Sequence, residues 1–428
     1  MRGKVRALGA CVWYRDRIVP TRASQQTPVY VRSAKKLEPY VNDVSLNSLI
    51  VDLVQTDFGN FAPAWNICQR NYRTLKSLSI LGVGSSRTPP NPNKLASILS
   101  GGRRLEALEE ICFKDIDWYT TRSENPNFDL IDIIQNFGPV YVPGNIKKLS
   151  LLGCSQFSQL NRSWIRDMVN LTELDIRKRD TLSDLEGLLC NLTRGLSALW
   201  ISWHSVRDKA PIPGKTAFKK HSTTLKKLWI HSEHPYNYGT WNELPFCVDE
   251  GSDELDLKTL SEFPVLQHLS VPVRIPESWT PWAPMFPSLK SLYWVNFLSA
   301  LEPLGVPAST NSNHPDEEPE VKRDEIEIPS KLIDSVKDLL SWLASPYEGT
   351  NRDEVSSAGM NLQAVILAFR QQRNRNYSPW SWIYRAYVRD RSTPCGFETS
   401  PKMMEFIHYW YPEIWEFCKT GNRKAPLR

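Results

Sequence analysis

One arrangement of apolar and variable positions returns along much of the chain. An apolar residue is followed by two variable ones, a second apolar residue, one variable residue and a third apolar residue. Strict forms are "LKSLSI" from Leu75, "LTELDI" from Leu171, "LSALWI" from Leu196, "LKKLWI" from Leu225, "LQHLSV" from Leu266 and "LKSLYW" from Leu289. Looser forms are "VNDVSL" from Val41, "LEEICF" from Leu108, "IKKLSL" from Ile146 and "LQAVIL" from Leu362. A gap of three suits a helix, but the gap of two that follows would turn the last apolar residue to nearly the opposite helical face, so the end of the phrase predicts a strand.

Between the phrases lie runs with apolar residues three or four apart and Ser, Asn or Gly near an end: "NKLASILSG", "FDLIDIIQNFG", "SWIRDMVNL" and "LSDLEGLLCNL". These predict helices. A lone strand and helix cannot bury their apolar faces, whereas stacked copies can. From phrase start to phrase start the intervals are 34, 33, 38, 25, 25, 29, 41, 23 and 73 residues, several of them close to the leucine-rich period, with the longer ones as insertions. The predicted class is α/β: a leucine-rich-repeat solenoid with a parallel concave sheet, convex helices, irregular repeats and a C-terminal helical cap.

The repeats resemble those of the fungal F-box/leucine-rich-repeat protein family, over about residues 41–300 and the late phrase at Leu362. "IKKLSLLGCSQF" carries the likeness best, with Ile146, Leu149, Leu151, Cys154 and Phe157 in the places of a cysteine-containing repeat. At the position of Cys154 the other repeats have Val83, Arg179, His204, Glu233, Arg274 and Phe297, so a regular Cys or Asn ladder is absent and uneven curvature is expected. An F-box begins with Leu-Pro and a compact set of apolar helices, and residues 1–40 contain no such element. The F-box has diverged, been lost, or lies upstream of this chain. The resemblance implies a substrate receptor of an SCF-type ubiquitin ligase, with a protein substrate on the concave face and, if an F-box exists, a Skp-type adaptor and a cullin as further partners. The alternative is a leucine-rich-repeat interaction scaffold unrelated to ubiquitin.

The chain divides by composition into a basic segment 1–40, a repeat array 41–305, an acidic insertion 306–330 and a final repeat with cap, 331–428. The insertion "VPASTNSNHPDEEPEVKRDEIEIPS" has seven acidic and almost no large apolar residues, too little to offset its ordering entropy, which predicts disorder. Beyond it, "KLIDSVKDLLSWLA" predicts a one-sided helix and "MNLQAVILAF" a buried strand. In "SPKMMEFIHYWYPEIWEF", Ser400 is placed for an N-cap and Pro401 for the first helical position, and the aromatic density suits a cap over the end of the core.

Charge narrows the partners. Residues 1–36 carry nine Lys/Arg against one Asp, yet between residues 37 and 351 acidic residues outnumber basic ones by eight. Nucleic-acid readers show the opposite, a basic stripe on the structured body, so no nucleic-acid partner is expected. The basic start has the charge of a mitochondrial presequence but no sustained amphipathic helix. No run of eighteen apolar residues occurs, and eight scattered cysteines without a CxxC pair suggest a reducing compartment, so the expectation is a cytoplasmic or nuclear protein with no membrane partner.

Catalytic and cofactor motifs are missing: there is no GxGxxG, Walker-type loop, HExxH or GxSxG. His231 and His234 are three apart but have no companion pair, so no metal is expected. Four Asn-x-Ser/Thr sequons, at Asn161, Asn170, Asn191 and Asn376, have meaning only on the secretory route. The predicted protein is not an enzyme and needs no cofactor. Its candidate site is the outward row of the phrase. In LxxLxL the second and third apolar residues enter the core, so Ser79, Cys112, Ser150, Asp175, Trp200, Trp229, Ser270 and Tyr293 share the other face. From this row and its flank the partner-binding set is Asp175, Arg177, Trp200, Trp229, His231 and Tyr293, with Trp200 and Trp229 as an exposed aromatic pair. The competing reading is that the chain's own tail or a loop covers that pair.

Overall fold

The computed structural model describes residues 11–14, 17–20, 29–31, 46–52, 61–81, 102–114, 140–152, 165–178, 185–203, 214–232, 255, 257–270, 286, 288–297, 337, 340, 362–371, 381–390, 392, 396–400 and 402–421. The chain forms two compact units, Met1–Leu225 and Lys226–Arg428.

The first unit opens with an antiparallel hairpin, β1 (Cys11–Tyr14) and β2 (Arg17–Pro20), that pairs Cys11 with Pro20 and Tyr14 with Arg17. Seven further strands follow: β3 (Val29–Val31), β4 (Ser48–Asp52), β5 (Ser77–Leu81), β6 (Glu110–Lys114), β7 (Lys148–Leu152), β8 (Glu173–Lys178) and β9 (Ala198–Trp203). Each lies parallel to the next, in sequence order. Between them stand α1 (Phe61–Arg70) and α2 (Leu185–Asn191), and α3 (Lys215–Lys219) follows β9. In the second unit β10 (Lys227–Ser232), α4 (Leu257–Ser261), β11 (His268–Ser270), β12 (Ser291–Phe297) and β13 (Ala364–Gln371) continue the parallel style. Then the direction changes: β14 (Ser381–Arg389) and β15 (Phe397–Thr399) are antiparallel, and α5 (Met403–Trp410) and α6 (Pro412–Gly421) end the described chain. The class is α/β with open, mostly parallel sheet.

Register follows the phrase. Leu78, Ile111, Leu149, Leu174 and Leu199 occupy one rung of the first unit, and Leu228, Leu269, Leu292 and Val365 one rung of the second. All nine are buried. The rung is held by a recurring stitch. The carbonyl after the first apolar residue of one phrase accepts two successive N–H groups of the next: Lys76 from Glu109 and Glu110, Glu109 from Lys147 and Lys148, Lys147 from Thr172 and Glu173, Thr172 from Ser197 and Ala198. Lys226, Gln267 and Lys290 do the same in the second unit. Both carbonyl lone pairs are used, which fixes where each strand enters the sheet.

A turn with one geometry precedes two of the phrases. Asn71 and His221 each end a helical stretch and accept, through their carbonyls, the N–H of the first leucine of the coming phrase, Leu75 and Leu225. Each side chain also reaches back twenty-five residues: Leu46 N–H donates to Asn71 Oδ1 at 2.8 Å, and Leu196 N–H to His221 Nδ1 at 3.1 Å. The second bond needs a lone pair on Nδ1, so the imidazole is neutral. Burial, and then Lys220, bring its pKa down to about 4.

Four expectations are corrected here. The first phrase starts at Leu46, not Val41, because Leu49 pairs with Leu78 and Asn47 makes the stitch to Lys76 and Ser77. Helix α5 begins at Met403, with Lys402 as its uncapped N-cap, so Ser400 serves through its backbone carbonyl to Met403 N–H instead of as a cap. The tail helices do not sit simply on the end of the core: α5 packs on β14, and Phe417 of α6 packs on the face of β10 and β11. Helix α2 falls within the predicted "LSDLEGLLCNL", and β13 begins within "MNLQAVILAF" and runs on to Gln371. The predicted helix "SWIRDMVNL" is described from Ile165 onward and is corrected: only Ile165 and Arg166 are helical, and the chain then turns into the next phrase. The other two predicted helices between phrases lie outside the described residues, as does the acidic insertion, and the helix predicted at "KLIDSVKDLLSWLA" lies mostly outside them.

Candidate functional site

In the first unit the outward row of the phrase is a ladder, Ser79–Cys112–Ser150–Asp175–Trp200, one residue from each successive strand. The row was placed correctly, but its exposure was not. Asp175 and Arg177 are buried, as are Ser150 and Ser202, and Trp200 is only 4% exposed. Arg177 Nε donates to Asp175 Oδ1 at 3.1 Å, so a guanidinium and a carboxylate two residues apart on β8 are hydrogen-bonded to one another on the same face. A buried charge needs such a partner, because desolvation of either alone costs several kcal/mol.

The second unit has the corresponding row Trp229–Ser270–Tyr293. Trp229 is 2% exposed, and the reason is visible. The Phe417 ring meets the Trp229 indole edge-on at 5.4 Å, and a Cβ placed on Gly421 would fall 2.3 Å from an indole carbon. Helix α6 therefore closes on Trp229, and the lack of a side chain at residue 421 permits that approach. The tail covers Trp229, which corrects the expectation of an exposed indole. His231 lies on β10 two places beyond Trp229, and Tyr293 pairs with Ser270 on β12; both side chains lie outside what the structure describes.

The same helix covers His268. Its Nδ1 is 2.8 Å from Ser291 Oγ, its ring tilts against Phe417 at 5.5 Å, and its Nε2 is 3.8 Å from Glu413 Oε2. Serine, histidine and carboxylate in this order could suggest a nucleophile, a base and its orienting acid. The environment argues otherwise. His268 and Ser291 are wholly buried, and burial, followed by Lys227 and Lys290, depresses the imidazole pKa to about 3, far below the range useful to a general base near neutrality. The trio joins α6 to the sheet.

The aromatics that do reach solvent were assigned by the sequence to the cap. On α5, Phe406 is exposed, Tyr409 is 77% exposed and Trp410 is 70% exposed. They form one stripe, three and four residues apart, while Met403 and Ile407 form the buried stripe of the same helix. The Phe406 and Trp410 ring centres lie 6.1 Å apart, and the His408 ring meets Trp415 at 4.6 Å with a 40° tilt. The signal was legible: an eight-residue helix with two apolar stripes can bury only one of them against a sheet.

Among the described residues Cys68, Cys190 and Cys418 form no disulfide, and burial pushes the Cys68 thiol up to about 12. Asn170 and Asn191 spend their side-chain amides on the carbonyls of Gly144 and Gly187. Among the described residues no helix is long and apolar enough to cross a membrane, and no group of three or more His, Cys, Asp or Glu is arranged to hold a metal. No protein-family model and no curated protein matches the chain.

Proposed function

We propose that this chain is a leucine-rich-repeat solenoid that works as a protein-interaction module, the substrate-recognition part of an SCF-type ubiquitin ligase acting in the cytoplasm or nucleus. The observation that carries the interaction reading is the exposed stripe Phe406–Tyr409–Trp410 on a rigid helix. Large aromatics are enriched at binding hot spots, and three at helical spacing form an anchor that loses little conformational entropy on binding. Glu405, exposed beside the stripe, has no ion-pair partner among the described residues. A carboxylate next to aromatic faces suits a substrate segment that combines Lys or Arg with apolar residues.

This reading moves the partner site from the β-strand row to α5. Trp229 can meet a partner only if α6 withdraws, and Asp175 and Arg177 are already paired with each other. The recurring stitch and common rung support the repeat architecture, since they give each phrase the same neighbours. The ubiquitin connection rests on the F-box-family resemblance alone. Its test is co-purification of the full-length chain, with any upstream coding sequence, with the Skp-type adaptor and the cullin. A stoichiometric complex is the expected result. Failure of the adaptor to bind while the α5 stripe still captures a partner would leave an interaction scaffold with no ligase role.

A further inference from the structure

In the second unit β14 is longer than the strand beside it. It has nine residues, and β15 pairs with only three of them, Tyr387, Val388 and Arg389. Among the described residues no strand lies on that side of residues 381–386. We propose that this edge, beside the aromatic stripe of α5, binds an extended segment of a partner protein as a further β-strand. The proposal rests on the reading of α5 as the partner site, and it gives that partner a conformation.

Hydrogen-bond phase sets what the edge offers. Arg389 N–H donates to the Gln363 carbonyl, so in the antiparallel pair with β13 the odd-numbered residues of β14 turn their backbone groups toward β13 and the even-numbered ones turn theirs away. The outer side keeps this phase: Asp390 N–H donates to the Gly396 carbonyl, and the Ala386 carbonyl accepts from Thr399 Oγ1 at 2.8 Å. There β15 ends, because the chain turns at Ser400, whose carbonyl accepts Met403 N–H, and enters α5. Past that point the N–H and C=O of Trp382 and Tyr384 and the N–H of Ala386 face outward, with no strand opposite them among the described residues. Donors and acceptors alternating along one line are the pattern that another backbone completes. An edge kept unpaired carries Pro, Lys or a bulge; residues 381–386, "SWIYRA", have one arginine among strand-forming and small residues, and their register with β13 is unbroken. Helix α5 packs on β14, so a strand added here runs close to Phe406, Tyr409 and Trp410, with alternate side chains meeting the aromatics and the exposed Glu405. The occupant this fits has apolar and basic residues together in one alternate row.

Isothermal titration of the full chain with the peptide acetyl-Ser-Val-Thr-Lys-Thr-Val-Ser-amide tests the proposal, alongside two modified forms, one N-methylated at Val, Lys and Val and the other at both Thr. An added strand uses one alternate set of its own N–H groups, so one methylated form should bind at least about tenfold more weakly and the other as the parent does. Tyr384→Pro removes an outward N–H and no bond to β13, and should weaken the parent peptide by a similar factor. The methylated peptides carry the test if that variant does not fold. Hydrogen exchange of the Trp382, Tyr384 and Ala386 amides should be fast in the free chain and slow in the complex. The proposal is overturned if the parent peptide shows no binding near about 1 mM, or if both methylated forms bind alike. It is also overturned if those amides are already protected in the free monomer, which assigns the edge to the chain's own backbone, or if the chain sediments as a dimer that Tyr384→Pro dissociates, which assigns it to a second copy. Peptide binding lost in Tyr409→Ser with Trp410→Ser, with both methylated forms alike, overturns the strand and keeps α5 as the partner site. Binding retained in that variant, with the phase-dependent loss intact, supports the strand and overturns the α5 reading.

Discussion

Two aromatic regions of the second unit exchange the roles that their sequences suggest. Trp229 sits at the outward position of a strand, where a sheet face meets solvent, yet α6 seals it behind Phe417 and Gly421. Phe406, Tyr409 and Trp410 sit in a C-terminal stretch dense enough in aromatics to be a cap, yet they face solvent. Strand alternation says which side a residue points to, but not what packs over that side. Here that is decided by a helix almost two hundred residues further along the chain.

The comparison breaks most readily at Trp229. If the indole is core, Trp229→Ala should cost about 3–5 kcal/mol in denaturant unfolding, the usual loss for a large buried aromatic. A near-neutral value would mean that α6 is detached in solution and the strand face is free. The covered face also predicts an acid response. The folded pKa values of His268 and His221, about 3 and about 4, lie below the ordinary histidine value. The unfolded chain therefore binds more protons between about pH 6.5 and those values, and stability falls as pH drops through this window, by up to about 1.4 kcal/mol per unit for each histidine. His268→Gln should remove its share of the slope. A melting temperature flat from pH 7 to 5 would contradict the neutral, buried assignment.

A smaller effect is expected at the contact that lets α6 close. Gly421→Val places a branched side chain where a Cβ already meets the Trp229 ring, and overpacking of this kind costs about 1–3 kcal/mol. It should also raise hydrogen exchange through residues 412–421. The smallest effect belongs to the exposed stripe: Tyr409→Ser with Trp410→Ser should change stability by no more than about 0.5 kcal/mol each, the range for open surface positions.

Legibility in the sequence followed the same division. The rung Leu149–Leu174–Leu199 and the opposite row Ser150–Asp175–Trp200 were readable, because a gap of two fixes strand faces and a shared phrase fixes register. The first phrase was misplaced by five residues, since Leu46 fits both "VNDVSL" and "LNSLIV" and only pairing with β5 chooses between them. The antiparallel β14 was not anticipated: "SWIYRAYVR" carries large side chains at both odd and even positions, so no clean alternation marks it. Nor could the turns at Asn71 and His221 be matched beforehand, because two unlike side chains do the same work with one acceptor atom each. The Asp175–Arg177 pair was seen as two surface residues, although a two-residue spacing on a strand already puts both on one face.

The central claim, that α5 presents the binding aromatics and α6 conceals Trp229, is tested most directly by hydroxyl-radical footprinting read by mass spectrometry on the full chain, alone and in complex with its captured partner. The account predicts strong modification of Tyr409 and Trp410 in the free chain, protection of Trp229 and Phe417 in both states, and loss of the Tyr409 and Trp410 signal on binding. Modification of Trp229 in the free chain that disappears in the complex, with Tyr409 and Trp410 unchanged, would contradict it and return the partner site to the strand face.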